Sequence, residues 1–427
     1  MNKMINPRLI AVLVAAAFSG TAGAAGFQLL EQNASGLGNA YAGSAAVADN
    51  ASTIYFNPAG MTQLKGIEVS GGLTAVGTSF KFTDQGSSAG AFNGTGNGGD
   101  GGGWGFIPNG YLSWGLNKDL YLGLGIGAPF GMKTEYDDSW VGAAQSREFD
   151  VKTYNINPSI AYRVNEFVSL GGGLNWQRLE ATYKRATAIN LAGSQSPLKL
   201  SLDDNSWGWN IGALFTLSPQ TKVGVSYRSE VKYKTTGKIE ITGPAAPNSS
   251  DAKADITLPD FFLLSLTHKL NDRVELLGDV SRTGWSSIPK VDVIRASASL
   301  SGLLAGTTAQ TLETDFKDTW RFALGANYKL NNEWLLKGGI AYDETPVKGA
   351  TTRLVSLPDN DRTWFSLGAQ WKASKTVTLD VGGAYLYVKD ASIDNNQGTA
   401  AAPLRGRVTG KYEDSAWIFG SQLSMAF

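Results

Sequence analysis

The chain has 427 residues, 42% hydrophobic and 17% charged, with a formal net charge of +0. That balance leaves no electrostatic footprint for nucleic acid, and zero cysteines exclude a disulfide framework, a cysteine zinc site and a thiol nucleophile. No apolar run beyond the N-terminal segment approaches the roughly 20 residues of a membrane helix.

Residues 1–24 have the form of a secretory signal. Lys3 and Arg8 precede the short apolar core "LIAVLVAAAF" (9–18), and "AGA" (22–24) has the small-x-small pattern of a cleavage site, leaving Ala25 as the new N-terminus. Residues 25–65 are rich in Ala, Ser, Gly and Asn and only weakly periodic, too short for a core of their own. Yet Phe27, Leu29, Leu30, Tyr41, Tyr55, Phe56 and Met61 are more apolar bulk than a disordered tail needs. The segment is expected to be a hatch packed inside a larger body.

From Gly66 onward the apolar residues alternate. "KVGVSYR" (222–228), "TWRFALGANYKL" (319–330) and "TVTLDVGGAYLY" (376–387) each put one greasy and one polar face on a strand. Short turns such as Asn117-Lys118-Asp119, Asn271-Asp272 and Asn331-Asn332 alternate with long Gly/Ser/Ala-rich connections, among them 84–103, 238–252 and 285–312. Counting them gives fourteen antiparallel strands over 66–427, an all-β transmembrane barrel with short turns at one rim and long loops at the other. Trp104, Tyr111, Trp114, Trp140, Tyr154, Tyr162, Trp364 and Trp371 stand near strand ends, where girdles belong. The last strand ends on Phe427, the expected handle for a barrel-assembly machinery. A closed barrel needs that strand seated without a free edge, because lipid offers no hydrogen bonds.

"LYLGLGIGAPFG" (120–131) stands out within the pattern. Leu120, Leu122, Leu124 and Ile126 form a lipid-facing row, and Gly123, Gly125 and Gly127 leave the other face bare, as free lumen volume. Pro129, after Ala128, removes a ladder donor where the chain can bend. It marks either a break in the wall or the frayed outer end of a strand.

Little suggests an enzyme or a cofactor. The single His268 lies three residues before Asn271 of the Asn271-Asp272 turn, at the turn rim, and "GTGNGGDGGG" (94–103) lacks the Lys-Ser/Thr of a phosphate loop. Asp137-Asp138 and Asp203-Asp204 are either solvated loop faces or divalent-ion contacts to lipopolysaccharide. Leu300, Leu303 and Leu304 form a greasy patch in a long outer loop.

Several segments in this order resemble the FadL family of outer-membrane long-chain fatty acid transporters. They are "AGFQL", "SGLGNAYAGSAAVADNAS", Asn57-Pro58-Ala59, "LPDFFLLSL" (258–266), "GIAYDETPV" (339–347), "SLPDNDRTWFSLG" (356–368) and "AWIFGSQLSMAF". The resemblance implies a fourteen-stranded barrel with an N-terminal hatch in a Gram-negative outer membrane. It implies passive, non-enzymatic uptake of hydrophobic compounds by a monomer. Some relatives take up aromatic hydrocarbons such as toluene or xylene, so that cargo stays open beside fatty acids; from another class, a general diffusion porin is the rival. The family's inward kink in the third strand places a lateral opening at Gly125, Gly127, Ala128 and Pro129. Its inward basic pair falls on Arg185 and Lys317 in "YKRA" and "FKDTWR", as carboxylate anchors or as members of a lumen ion-pair network. Phe27, Gln28, Leu29 and Arg321 are expected contacts in the hatch and lumen. Asn57, Pro58 and Ala59 either let the hatch shift or stitch it to the wall.

Overall fold

The computed structural model describes residues 26–90, 92, 94–188, 195–398 and 405–427; residues 1–24, the expected signal segment, and Ala25 lie outside them. Alternating side chains cover one face of every strand with lipid-facing apolar groups, and a sheet so patterned hides its other face by closing on itself. The described residues form fourteen antiparallel barrel strands. In chain order these are the first (Ile67–Asp84), second (Trp104–Gly115), third (Leu120–Gly127, resuming as Gly131–Glu135), fourth (Glu148–Arg163), fifth (Val168–Ala188), sixth (Gln195–Thr216) and seventh (Thr221–Arg228, then Val231–Ile241). They continue with the eighth (Ser250–Leu258, then Phe261–Lys269), ninth (Val274–Thr283, then Lys290–Arg295), tenth (Thr308–Glu313, then Thr319–Lys329), eleventh (Trp334–Asp343), twelfth (Arg362–Lys372), thirteenth (Val377–Val388, then Ala391–Asn396) and fourteenth (Arg407–Ala426). The first and fourteenth pair from Glu68↔Ala426 to Asp84↔Gly410. Phe427 is tied to Ile67 by two backbone hydrogen bonds, so no edge is left at the seam.

Much of what composition marks as long loop is wall. Val231–Ile241 and Ser250–Leu258 form a hairpin, as do Lys290–Arg295 and Thr308–Glu313. Their alternation is polar against small or apolar, so a hydropathy reading takes it for loop. The fifth and sixth strands run 21 and 22 residues, about twice the 9–11 that cross a bilayer. The wall therefore stands well above the outer leaflet. Its outward face there carries ion pairs: Arg178 with Glu180 and Asp203, Lys184 with Glu148, Lys290 with Asp292. Leu300 and Leu304 are exposed at a loop tip, and His268 holds Thr221 through Nδ1 beside its turn.

Aromatic belts are present with different members. Trp114, Tyr162, Trp334 and Trp371 are exposed near the short turns, and Trp104, Trp207, Trp209, Trp320 and Trp417 higher up. Tyr111, Trp140 and Trp364 are buried instead. Tyr111 and Trp364 sit on inward register positions, and Trp140 lies beneath the outer loops, stacked on Tyr136.

The lumen is filled by the hatch. Leu37, Ala40, Tyr41, Ile54, Phe56 and Met61 join inward residues of the wall in one apolar cluster, an arrangement at odds with an open porin. The bare glycine face of the third strand is not free volume, as its lack of side chains suggests; the hatch occupies it. A Cβ on Gly123 would lie 2.5 Å from Met61 Sδ and 2.8 Å from Ile54 Cδ1. The same close approach recurs at Gly224, where a Cβ would meet the Ala45 carbonyl at 2.0 Å.

Asn57 latches the hatch. It caps the short 3₁₀ turn Pro58–Gln63, its side chain accepting from the Ala59 N–H, while Pro58 occupies the first turn, where a missing N–H costs nothing. Its Nδ2 donates to Ala45 O at 2.8 Å within the hatch and to Ala213 O at 2.9 Å in the sixth strand. The Asn57→Ala variant strands these buried groups. We expect a loss of about 1–3 kcal/mol of hatch seating, read as intermittent ion conductance in planar bilayers where the wild type stays closed.

Candidate functional site: the hatch terminus and the third-strand opening

The third strand pairs with the fourth residue for residue up to Gly127↔Asn155, and again from Gly131↔Lys152. Three residues, Ala128, Pro129 and Phe130, thus stand opposite two, Thr153 and Tyr154. That is a bulge, placed where proline withholds a donor. On the other edge the ladder to the second strand ends at Gly110↔Ile126. The second strand continues to Trp104 paired only with the first, so its edge from Trp104 to Asn109 has no partner in the third. Among the described residues, neither side-chain polar atom of Asn109, buried beside this break in pairing, has a hydrogen-bond partner. Gly125 and Gly127 lie in the regular ladder below; the bend itself is Ala128–Phe130.

The bulge's backbone is satisfied by the hatch. The Leu29 N–H donates to Pro129 O at 2.7 Å, the Gly131 N–H to Phe27 O at 2.9 Å, and Gln32 Nε2 to Ala128 O at 2.7 Å. Gln28 bridges to Phe130 and accepts from Thr283 Oγ1 in the ninth strand at 2.9 Å. Residues 27–29 thus link the third-strand bulge to the ninth strand. Phe27 ends in an aromatic cage, with ring centres 6.0 Å from Phe130 and 4.9 Å from Trp285, and Trp285 6.0 Å from Phe316.

Inward register holds in the fifth strand: Asn175, Gln177, Tyr183 and Arg185 are buried, while Leu170 and Leu174 face out. Arg185 Nε donates to Gln310 Oε1 at 3.0 Å and Nη1 to Ala186 O at 3.1 Å. The Arg405 guanidinium is close enough to repel it, and among the described residues no carboxylate forms an ion pair with it. Two guanidiniums near one another, with no carboxylate paired to either among the described residues, can take an anion. In the tenth strand Thr319 and Arg321 face inward, and Arg321 donates to Ala40 O at 2.6 Å and lies over the Trp364 ring.

Lys317 does not share that face. Its side chain is exposed, and Phe316 points in instead. Residues 314–318 leave the ladder between two strand segments, so two-residue parity counted back from Arg321 fails there. Arg185 and Lys317 are therefore not brought together.

Between Arg185 and Phe27 runs an apolar track. Tyr183 belongs to an upper cluster and Phe27 to a lower one, and Phe149, Ala181, Val291 and Leu312 pack against both. Gln32, Trp285, Phe316 and Arg405 escape sequence reasoning. No local period marks them: Gln32, Trp285 and Arg405 each meet a partner more than ninety positions away, and Phe316's inward turn comes from the strand break.

The family model for outer membrane protein transport proteins (OMPP1/FadL/TodX) matches residues 15–427. Outer membrane protein P1 of Haemophilus influenzae is 33% identical, covering 90% of each chain. The long-chain fatty acid transport protein of Salmonella typhi is 30% identical, covering 98% of each. A solved Pseudomonas aeruginosa FadL homologue superposes with a TM-score of 0.85 at 23% identity, over 94% of this chain and 99% of that one. A barrel plugged by an N-terminal hatch and a family match over nearly the whole chain agree, and the chain belongs to the OMPP1/FadL/TodX family of outer-membrane transporters of hydrophobic compounds.

Proposed function

We propose that the protein takes up long-chain fatty acids passively, with no covalent step. The carboxylate rests on Arg185, the tail lies along the apolar track, and the molecule leaves sideways through the opening between the second and third strands. The observation that carries this reading is Arg185 itself: buried, bonded among the described residues to neutral groups, and near a second guanidinium at the head of an apolar path. The long-chain fatty acid transport protein among the relatives supports the same cargo. Displacement of residues 27–29 by the tail frees the bulge, and Asn57-Pro58-Ala59 holds the rest of the hatch while that happens. The reading includes a monomer surrounded by lipopolysaccharide at its charged upper wall and assembled through the strand ending in Phe427.

Oleate titration of the purified barrel tests it. Arg185→Ala removes a charged hydrogen bond worth about 1.5–3 kcal/mol, so affinity falls about tenfold to a hundredfold while toluene binding stays put. Unchanged oleate affinity sinks the anchor. The aromatic cage around Phe27 favours a second reading, uptake of aromatic hydrocarbons; saturable toluene binding without oleate binding selects it.

A further inference from the structure

Arg228 is a lumen cation set among neutral groups. Elsewhere inside the barrel Lys337 pairs with Asp380, and Arg362 with Asp359. Arg228 ends the first segment of the seventh strand and is 9% exposed, and among the described residues no carboxylate pairs with it. Its Nη1 donates to Asn175 Oδ1, and its Nη2 donates to Tyr55 O in the hatch at 3.0 Å. The Tyr55 ring covers the guanidinium, its centre 4.4 Å from Cζ. The titratable neighbours that act on its charge are the phenols of Tyr55 and Tyr111. A buried cation without an anion is costly, and an anion brought in from outside relieves the cost. A spare donor stands beside it. Asn210 is opposite Arg228 in the ladder between the sixth and seventh strands. Its Oδ1 accepts from Asn157 at 3.0 Å and from Asn175 at 2.9 Å, which fixes the amide. Nδ2 is the end left over: on a side chain 2% exposed, it has no hydrogen-bond partner among the described residues.

The group lies just below the third-strand bulge. Asn157 and Asn175 each adjoin the rung that runs Ile126↔Ile156↔Trp176, two residues short of Ala128. Tyr111 donates to Gln32 O at 2.7 Å, and Gln32 holds the Ala128 carbonyl. We propose that Arg228 and Asn210 form a second carboxylate site of the lumen, where the head of the cargo rests while its tail leaves between the second and third strands. The proposal rests on the fatty-acid reading above. The carboxylate takes the Nη2 hydrogen bond now spent on the Tyr55 carbonyl and the unspent Nδ2 of Asn210, so donors from two strands meet one anion. Arg185 is ten residues farther up the fifth strand than Asn175, about 33 Å along it. One carboxylate cannot hold both guanidiniums at once, so the two act in turn: Arg185 holds the arriving molecule and Arg228 the departing one.

The test is carbon NMR of carboxyl-labelled oleate titrated into the purified protein in detergent. Wild type is expected to show two bound carboxyl signals; Arg185→Ala removes one and Asn210→Asp the other. An aspartate in that place stands opposite Arg228 and pairs with it, so the guanidinium stays bonded while the site is occupied by the wall itself. The oleate concentration that half-fills the lower site should rise at least about tenfold, with toluene binding unchanged. A wild type with one signal, or Asn210→Asp with both signals in place, overturns the proposal. Loss of a signal in Asn210→Asp and none in Arg185→Ala removes the upper anchor and keeps this site. A wild type that binds no oleate saturably removes the fatty-acid reading and this site with it. Should Asn210→Asp fail to assemble, Asn210→Ala decides: it drops the spare Nδ2, leaves both Arg228 hydrogen bonds, and should need at least about threefold more oleate to half-fill the lower site. An unchanged midpoint there overturns the proposal.

Discussion

Deleting Pro129 alone is expected to close the wall and stop uptake while leaving ligand binding in place. The third strand carries one residue too many between Gly127↔Asn155 and Gly131↔Lys152. Removing one restores one-to-one pairing, and Met132 and Thr134, both buried now, keep their inward register. The repaired strand then offers hydrogen bonds to the open edge at Trp104–Asn109. A tail barred from leaving sideways faces periplasmic water at about 0.8 kcal/mol per CH₂. For ten carbons that is about 8 kcal/mol, so uptake of labelled oleate by cells should fall at least about tenfold. Affinity for oleate should stay within about threefold, because Arg185 and the apolar track are untouched. Uptake at the wild-type rate, with the restored ladder verified by hydrogen exchange, rules out lateral exit here.

Lys337→Met is expected to give the largest loss of stability. Lys337 on the eleventh strand and Asp380 on the thirteenth pair at 2.8 Å with side chains 4% and 2% exposed. The same Nζ donates to Ser35 O at 2.9 Å and Ser35 Oγ at 3.2 Å, tying wall to hatch. Removing one partner of a buried pair leaves the other uncompensated, at a cost of about 3–5 kcal/mol. The thermal midpoint in detergent should drop and the hatch loosen, seen as new ion conductance. Pairing it with Asp380→Asn removes the orphan charge and should recover part of the midpoint, although Ser35 stays unheld. If the single variant melts like wild type, the pair does not hold the hatch.

Period-two alternation, turn residues and the apolar content of residues 25–65 determined on their own a fourteen-stranded barrel with a plug. Those properties are local: side chains two apart share a face, and a wall between lipid and lumen must obey that rule along every strand. Pro129 likewise carried its break in its own chemistry. What sat between partners far apart in sequence was decided by closure. The glycines of the third strand read as empty space because nothing local says that Met61 and Ile54 press on them. Lys317 was expected inward from the family resemblance, and alternation counted back from Arg321 agrees with that, but residues 314–318 leave the ladder. Trp285 forms the wall of the Phe27 cage only because closing the barrel sets the ninth strand across the lumen from the third. Alternation assigns a residue to a face, but which residue of the hatch or the far wall meets it there depends on register and shear around the whole barrel, and those exist only once the fourteenth strand has paired with the first.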